Sequence, residues 1–458
     1  MLLLVSSGNI VILFLGWEMI GLTSFLLINF WVSRVGTLKA AFKAFSFNKI
    51  SDFFLLTGII FIYNITYDLD ILSINSQIFL FINYKIQIFN FYINYIELIC
   101  ILLLSCAFIK SAQIGTHIWL PDSMEAPVPA SSLIHSATLV SAGIFLILRF
   151  YPLFENSFYS FFILPIIGST TAAYGGIVGA YQSDIKRILA YSTISHCGFL
   201  MLLTSFFLNE YVILYLYIHG FFKATVFMCV GNVLRISKSY QDFKRMGSFF
   251  KYLPFETYII FICLFNLAGI PFTLGFYIKH LIFLSLNSYF FLYNFIFFNI
   301  FIGAISGLFY SYRIFYYVFF DFKKGKKHIY NNLNKKEFFS IQFSNTSLLS
   351  NISISLLLFF SYIISFYFIF VLLSESFLYS DFLNFNITSN QFNFNNFLNK
   401  NFLFNFSYLN WFIILFLLSL IFLNWRIMFL QFIIYNNIHM YITFLITFML
   451  NYQFIILF

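Results

Sequence analysis

The sequence predicts an all-α, polytopic membrane protein built as a bundle of transmembrane helices. Hydrophobic residues make up 61% of the 458 residues and charged residues only 9%, whereas soluble domains average about 25% charged residues. Residues 258–267 and 412–423 are nearly continuous apolar runs. Such runs are typical of helices that satisfy their own backbone in lipid, and not of the alternating strands of a membrane barrel. At ~20 residues per span, we expect about ten to twelve helices.

The apolar segments follow one another from the first residues to about residue 320. Residues 64–94 are more polar and irregular, and we expect a loop or connector there. The predicted spans are residues 11–31, 45–63, 95–110 with a broken continuation, 131–149, 158–181, 185–208, 211–234, 255–284 and 295–320.

The remainder of the chain is less regular, and we divide the sequence at residue 320. Residues 340–373 predict another span or two, and residues 380–405 are an Asn/Phe-rich, low-complexity loop. Residues 409–425 and 438–458 are apolar again. Residues 321–458 are therefore predicted to hold C-terminal membrane helices, one of which spans the bilayer or lies along its surface.

Basic residues provide an independent check on this order of spans. They cluster in four connections, which fall on one membrane face if each broken segment counts as one crossing. The net charge of +9 is explained by these connections and predicts no nucleic-acid partner. The clusters are Arg34, Lys39 and Lys43; Lys186 and Arg187; Arg235, Lys238, Lys244, Arg245 and Lys251; and Lys323, Lys324, Lys326 and Lys327.

A few ionisable residues lie inside the predicted spans. A titratable group at bilayer depth is costly and by default predicts a functional site. His219 and Lys223 are four residues apart and share one helix face. The candidates are Glu18, Asp52, Lys110, His135, His219, Lys223 and Lys279.

Two of the candidate lysines adjoin predicted helix breaks. Pro121, Pro127 and Pro129 follow Lys110, and Gly269, Pro271 and Gly275 precede Lys279. Irregular backbone persists in a membrane only where protein or a water-filled cavity surrounds it. Transporters bind ions at such broken helices. Burial favours a neutral lysine, a nearby carboxylate favours the charged form, and histidine is a natural proton relay. The pattern therefore predicts a proton route.

Each candidate also has a purely structural alternative. Glu18 and Lys110 can form a static buried pair, and His135 can simply bond a carbonyl or hydroxyl group. Lys279 can extend to the membrane interface, and Asp52 can cap a helix or pair with Lys49. His196, among small residues in YSTISHCG, is predicted to be a packing or hydrogen-bonded group.

The sequence predicts no metal or redox cofactor bound by this chain. No CxxC pair is present, so neither an iron–sulfur site nor a disulfide framework is indicated. No nucleotide-binding glycine pattern follows a strand. The cysteines stand singly in apolar runs, as expected of buried thiols: Cys100, Cys106, Cys197, Cys229 and Cys263.

Five motifs occur in an order that resembles the subunit 5 family of NADH dehydrogenase, the distal antiporter-like subunits of respiratory complex I. The resemblance covers residues 1 to about 320, and subunits 2 and 4 and the large subunit of multi-subunit Na⁺/H⁺ antiporters share its fold. The motifs are GWEMIGLTSFLL (16–27), KSAQIGTHIWLPDSMEAPVPASSLIHSATLVSAG (110–143), DIKRILAYSTISHCG (184–198), HGFFKATVFMCVG (219–231) and AGIPFTLGFYIK (268–279).

The resemblance implies two inverted repeats of five helices, each with one broken helix, and a proton relay. NADH, flavin, iron–sulfur clusters and ubiquinone would then be bound by other subunits, and their electron transfer would drive the protons. The implied roles are the acid that pairs with the first lysine (Glu18), an acid of the next helix (Asp52), the first-channel lysine (Lys110), the linking histidine (His135), the central relay (His219 and Lys223) and the terminal lysine (Lys279).

The chain also departs from the family pattern. The family often has a second histidine where this chain has Tyr215, and an aspartate where this chain has His280. Three to four helices precede the GWE motif in the family, so we expect a separate chain to supply them. The family's lateral and anchoring helices are not identifiable in residues 340–458.

The wider context is also a prediction. The 72 phenylalanines and 31 tyrosines are typical of AT-rich organellar coding and favour the mitochondrial inner membrane. We expect lipids and other membrane-arm subunits as partners, especially a subunit 4-like neighbour. The alternatives are a Na⁺ or K⁺/H⁺ antiporter subunit and a purely structural membrane subunit.

Overall fold

The computed structural model describes residues 1–88, 91–237, 240–251, 253–270, 273–285, 293–322 and 348–373. The chain divides into a unit Met1–Lys400 and a unit Asn401–Phe458, and all described residues belong to the first. The predicted loop at 380–405, the apolar segments 409–425 and 438–458 and the basic cluster at 323–327 lie outside the described residues. The predicted division at residue 320 stays a prediction.

The described part of the chain is a bundle of α-helices. The helices before the first predicted break are α1 (Leu2–Ser6), α2 (Ile10–Ile28), α3 (Val35–Thr66), α4 (Ile71–Ser76), α5 (Ile78–Asn83) and α6 (Tyr95–Lys110). After it come α7 (Trp119–Asp122), a 3₁₀ turn (Ser123–Glu125), α8 (Val128–Leu133), a π-helical turn (Ile134–Thr138), α9 (Leu139–Arg149) and α10 (Tyr151–Glu155).

The long helices of the second half follow directly. They are α11 (Phe158–Tyr181), α12 (Ile185–Ser205), α13 (Asn209–Ile236), α14 (Pro254–Ala268), α15 (Leu274–Ser285) and α16 (Tyr293–Phe315). 3₁₀ turns at Phe243–Arg245 and Phe249–Lys251 lie between α13 and α14, a second π-helical turn (Tyr316–Phe320) follows α16, and α17 covers Leu348–Leu373.

Seven helical segments in the described residues are long and apolar enough to cross a membrane. The prediction of a polytopic helix bundle is therefore confirmed. The bounds of α6 and α11 are those that the sequence predicted. The seven segments are Ile10–Ile28, Val35–Thr66, Val128–Arg149, Phe158–Tyr181, Ile185–Ser205, Asn209–Ile236 and Asn294–Phe320, with shorter apolar helices at Pro254–Ala268 and Ser350–Ser365.

Helix α3 is longer than predicted. The sequence predicted a span over 45–63 with Lys39 and Lys43 in a connection, but both lysines lie inside α3. At 1.5 Å per residue the helix is about 48 Å long, which exceeds a hydrocarbon core of about 30 Å. Its first turns can therefore extend beyond the core, where lysines are tolerated. The helix ends where Tyr67 adopts a left-handed conformation with φ 54°.

The described residues of 64–88 and 91–94 form regular elements where the sequence predicted a loop or connector. They contain α4, α5 and an antiparallel hairpin of β1 (Lys85–Ile88) and β2 (Phe91–Asn94). Lys85 is paired with Asn94 and Ile88 with Phe91. The alternation in Lys-Ile-Gln-Ile is typical of a short strand, and the polar composition of the segment concealed it.

Close contact between helices defines the centre of the bundle. A Cβ built on Gly198 of α12 would lie 2.5 Å from the backbone nitrogen of Ala172 on α11. On α16, Gly303 approaches Ala172 in the same way, at 3.1 Å from its carbonyl oxygen. Small residues allow helix backbones to approach closely in membranes. Helix α12 is consequently buried along almost its whole length.

Both predicted helix breaks are present. The first lies between α6 and α7, where Ala112 (φ 52°) and Gly115 (φ 88°) are left-handed. It therefore begins immediately after Lys110, before the prolines that predicted it. The second follows Ala268: Gly269 has φ 78° and ends α14 as a C-terminal cap. Pro271 lies outside the described residues.

Candidate functional site

Lys110 lies at the C-terminal end of α6, in the interior of the bundle. Its side chain is 0% exposed, and Nζ is 3.7 Å from Oδ1 of Asp52 on α3. Nζ also lies 3.4 Å from the carbonyl oxygen of Trp17 and 5.2 Å from the centre of the Trp17 ring on α2. The break directly after Lys110 ends the helix at this buried level, so the ammonium group is held among α2, α3 and α6.

Glu18 does not form the predicted pair with Lys110. Its carboxylate lies 2.9 Å from Lys49 Nζ, and Lys49 in turn lies 3.5 Å from Asp52. The side chains of Glu18 and Lys49 are 40% and 48% exposed, and that of Asp52 is 6% exposed. Asp52 is thus the buried acid beside Lys110, and charges alternate from Glu18 through Lys49 and Asp52 to Lys110. Asp52 thus makes the contact with Lys49 that its structural alternative predicted, and it also lies beside Lys110.

Two cationic side chains hold the segment after the break. Lys43 of α3 forms an ion pair with Asp122 of α7 at 2.5 Å. Lys186 of α12 is buried and donates to the carbonyl oxygens of Met124 and Ala126 at 3.2 and 3.1 Å. The sequence predicted Lys186 to be a connection charge, and this prediction was wrong. Its neighbour Arg187 is half exposed and pairs with Asp184, as expected of such a charge.

His135 lies on the π-helical turn Ile134–Thr138. π-helical turns inside α-helices are frequent at functional sites because they redirect side chains. Nε2 is 3.1 Å from Ser123 Oγ, whereas buried Nδ1 has no hydrogen-bond partner in the described part of the chain. The ring stacks on Phe227 of α13 with a centroid distance of 6.1 Å. His135 thus connects the segment after the first break to α13.

His219 and Lys223 are buried on the same face of α13, as predicted. Lys223 Nζ donates to Ser192 Oγ on α12. His219 interacts with the backbone of Ser136, beside His135, and its Nε2 has no partner among the residues that the structure describes. Buried polar atoms rarely stay unpaired. The two histidines thus each present one ring nitrogen that no described side chain or backbone group occupies.

His196 is hydrogen-bonded, which is one of the two structural roles that the sequence predicted for it. Nδ1 lies 2.7 Å from the hydroxyl of Tyr215 and Nε2 lies 3.5 Å from that of Tyr310 on α16. The ring centre is 5.4 Å from that of His219. In the sequence, a single histidine among small residues did not indicate which side chains it would contact. Tyr215, which replaces a histidine of the family pattern, bonds directly to His196.

Lys279 is buried on α15, immediately after the second break. Its ammonium donates to the carbonyl oxygens of Leu267 and Ala268 at 2.7 and 3.1 Å. These are the last carbonyls of α14, and the negative end of a helix dipole complements a cation. Nζ also lies 5.4 Å from the centre of the Phe199 ring on α12. In this structure Lys279 therefore does not extend to the membrane interface.

Two buried acids that lie within described helices were not among the candidates. Glu97 of α6 accepts from the backbone N–H groups of Phe158 and Tyr159 at 2.6 and 3.0 Å, so it caps the N-terminus of α11. Glu256 of α14 accepts from Asn232 of α13 at 3.1 Å. Both positions are explained by helix ends and helix contacts.

The candidate lysines and histidines inside the bundle form a set of buried ionisable groups, the row. Lys110, His135, His219, Lys223 and Lys279 lie on α6, the π-helical turn, α13 and α15. The described residues contain no group of three or more His, Cys, Asp or Glu side chains arranged to hold a metal ion. Lysines and histidines in this arrangement can accept and release protons.

A helix bundle with two broken helices and a buried row of lysines and histidines defines an antiporter-like membrane protein. The model of the NADH:quinone oxidoreductase/Mrp antiporter transmembrane family matches residues 7–306. The chain belongs to this family.

Individual relatives agree with this assignment and with the resemblance to subunit 5. NADH-ubiquinone oxidoreductase chain 5 of Paramecium tetraurelia is 53% identical over 80% of this chain and 65% of the relative. The same protein of Phytophthora infestans is 40% identical over 72% of this chain and 50% of the relative. The chain thus spans about half to two thirds of the length of these relatives.

A solved structure, the Mrp complex of Dietzia sp. DQ12-45-1b, is similar with a TM-score of 0.63 and 26% identity. The similarity covers 70% of this chain and 35% of that one. The fold of the bundle is therefore shared with an antiporter complex.

Proposed function

We propose that this chain is a proton-translocating membrane-arm subunit of NADH:ubiquinone oxidoreductase, respiratory complex I, in the mitochondrial inner membrane. The observation that carries the proposal is the buried row Lys110, His135, His219, Lys223 and Lys279 in a chain of this family. Ionisable groups at bilayer depth are energetically costly and usually mark functional sites. Relatives that are NADH-ubiquinone oxidoreductase chain 5 favour the respiratory complex.

The proton would enter the row at Lys110 and leave it beyond Lys279, or travel the reverse way. Asp52 stabilises the ammonium form of Lys110, and the Glu18–Lys49 pair adjusts how much of the Asp52 charge acts on Lys110. Changes in this alternating set alter the affinity of Lys110 for its proton, since opposite charges a few ångströms apart interact strongly at low dielectric. His135 and His219 then link Lys110 to Lys223.

Electron transfer would take place in other subunits. NADH, flavin, iron–sulfur clusters and ubiquinone are assigned to those subunits, and the proposal assigns this chain no cofactor. Its role is to turn a conformational or electrostatic change that reaches the Lys110 end into proton movement along the row.

The direct test is Lys110→Ala in the assembled complex, reconstituted into sealed vesicles. We expect a lower number of protons moved per electron pair and slower coupled NADH oxidation, with assembly retained. Lys39→Ala, which removes an exposed lysine of α3, is the matched control. A normal proton-to-electron ratio in assembled Lys110→Ala complex would exclude the relay role.

A second candidate function is a subunit of a Na⁺ or K⁺/H⁺ antiporter. The observation that favours it is the similarity to the Mrp complex. Proton flux that depends on Na⁺ or K⁺ and continues without NADH would support the antiporter. A third possibility, a purely structural subunit, predicts normal pumping in a Lys110→Met, Lys279→Met double variant.

The outer end of the charge series supports a protein neighbour at α2 and α3. The Glu18–Lys49 pair is about half exposed on helices apolar enough to span a membrane. An ion pair that faces lipid is expensive, so we propose that another membrane-arm chain covers it. A subunit 4-like neighbour and a separate chain that supplies N-terminal helices are the specific candidates. A photo-crosslinker at Met19, which is exposed beside Glu18, would identify the chain, and exclusive capture of lipid would exclude both.

A further inference from the structure

Lys223 and Lys279 are the last two members of the row, yet no hydrogen bond joins them within the described residues. Lys223 donates to Ser192, and Lys279 donates to the end of α14. Both side chains are buried. A proton that passes between these lysines therefore needs intermediate groups that can both accept and donate.

Ser192 of α12 is the first such group. Its hydroxyl accepts from Lys223 Nζ and lies near the hydroxyl of Tyr310 on α16. Its own proton is directed to the carbonyl oxygen of Leu189 at 2.7 Å. Because a hydroxyl rotates freely about its C–O bond, Ser192 can turn this proton toward Tyr310.

Tyr310 is the second group, and its hydroxyl lies beside Gly307. A Cβ built on Gly307, one turn earlier on α16, would lie 3.9 Å from Tyr310 Oη and 4.0 Å from Lys279 Nζ. The phenol and the ammonium group therefore border the same space. Glycine leaves this space free of a side chain of its own.

His196 fixes the position of the phenol. Nε2 of His196 lies 3.5 Å from Tyr310 Oη, and Nδ1 is anchored to Tyr215 at 2.7 Å. The pair His196–Tyr215 thus supports Tyr310 from α12 and α13. The three hydroxyl and imidazole groups are all buried, so bulk water does not compete for them.

From these contacts we infer that Ser192 and Tyr310 carry protons between Lys223 and Lys279, with His196 as the positioning residue of Tyr310. The inference rests on the proposed proton-translocating function. It assigns relay roles to two hydroxyl groups that lie outside the lysine and histidine row.

The transfer balances at each group. The Lys223 ammonium gives a proton to Ser192 Oγ, Ser192 passes its own proton to Tyr310 Oη, and Tyr310 passes its own to neutral Lys279 Nζ. Each hydroxyl gains one proton and loses one, so the net result is a neutral Lys223 and a charged Lys279. For the last step Lys279 swings from the carbonyl groups of α14 toward the space over Gly307. Rotation of both hydroxyls resets the path.

The test uses Tyr310→Phe in the assembled complex in sealed vesicles. This variant removes one oxygen atom and keeps the ring. We expect the proton-to-electron ratio to fall to the value of Lys279→Met, at an unchanged level of assembly. Tyr312→Phe, which removes a phenolic hydroxyl two residues further along the same helix, is the control. It should retain the proton-to-electron ratio of the unmodified complex.

Gly307→Ala is the second variant, and it tests the same step while leaving the Tyr310 side chain intact. The added methyl group has ordinary contact distances, and alanine favours a helix more than glycine does, by roughly 1 kcal/mol. The helix should therefore be retained, while an apolar group enters the space between Tyr310 and Lys279. We expect a lower proton-to-electron ratio in this variant too. If Gly307 only allowed close helix packing, this ratio would stay normal in the assembled complex.

The outcomes separate this inference from the proposed function. Lower ratios in Tyr310→Phe and Gly307→Ala, with Tyr312→Phe unchanged, support the hydroxyl path. Normal ratios in both, with Lys279→Met impaired, overturn the path and leave the proposed function intact. A normal ratio in Lys110→Ala and Lys279→Met overturns both. If Tyr310→Phe does not assemble, Gly307→Ala alone decides.

Discussion

Asp52, and not Glu18, is the carboxylate beside Lys110: Oδ1 of Asp52 lies 3.7 Å from Lys110 Nζ inside the bundle. Glu18 is held one step away by Lys49. The buried lysine therefore depends on one acid directly and on another only through an intervening cation. The two acids should differ in their effects when each is neutralised.

Asp52→Asn should impair pumping more than Glu18→Gln. Removing one partner of a buried ion pair costs roughly 3–5 kcal/mol, whereas the half-exposed Glu18–Lys49 pair is worth about 1 kcal/mol or less. The check is the proton-to-electron ratio of each variant in vesicles at matched assembly. A larger loss in Glu18→Gln would contradict the order of charges described above.

Lys186→Met should destabilise the segment after the first break. It removes the donor to the carbonyl groups of Met124 and Ala126, and hydrogen bonds from a charged group contribute about 1.5–3 kcal/mol each. We expect faster limited proteolysis near residues 119–126 and weaker pumping. Arg187→Met is the adjacent control, and equal effects of the two substitutions would remove the special role of Lys186.

Gly198→Ala should lower the stability of the bundle. The new methyl group would meet the backbone of α11, and overpacking of this kind costs about 1–3 kcal/mol. We expect less assembled complex and a lower thermal midpoint. Gly36→Ala has nothing within 4 Å of its new Cβ and serves as the control. Wild-type assembly of Gly198→Ala would show that α11 and α12 can separate at little cost.

Glu97→Ala should weaken the start of α11 without affecting the proton row directly. The carboxylate satisfies two backbone N–H groups there, and loss of a helix cap costs about 1–2 kcal/mol. The expected result is a lower thermal midpoint with a normal proton-to-electron ratio in the complex that does assemble. Glu210→Ala, an exposed acid in the first turn of α13, is the comparison. A lowered ratio would instead place Glu97 in the proton path.

The sequence predicted the spans well where apolar runs were long and bounded by polar residues, as in α6 and α11. It failed at Lys186, because a lysine near a helix end has the same local sequence whether it faces water or a carbonyl group. It placed Lys39 and Lys43 in a connection because α3 is longer than a single span requires. It also missed the hairpin at Lys85–Asn94. A polar segment with weak alternation resembles a loop until its strands pair.

His196 shows the same limit at the candidate site. Its neighbours in sequence are small, so the sequence predicted a packing or hydrogen-bonded group. It did not identify the partners Tyr215 and Tyr310, which come from α13 and α16. Partners from other helices are set by how those helices cross, and no local pattern records that. Lys110 and His135 were identifiable as candidates because each is a lone ionisable group in an apolar span, and Lys279 because it follows a glycine- and proline-containing break.

The sequence by itself determined that the chain is a membrane helix bundle and which buried lysines and histidines are candidates. Composition and apolar run length suffice for this, because lipid admits few polar groups and requires the backbone to bond internally. Only the tertiary structure decided that Asp52 faces Lys110, that Lys186 bonds the segment after the first break, and that Ser192 contacts Lys223 while Tyr310 and Lys279 both approach Gly307. These contacts depend on the packing of distant helices, where a rotation of one helix brings a different side chain to the same point.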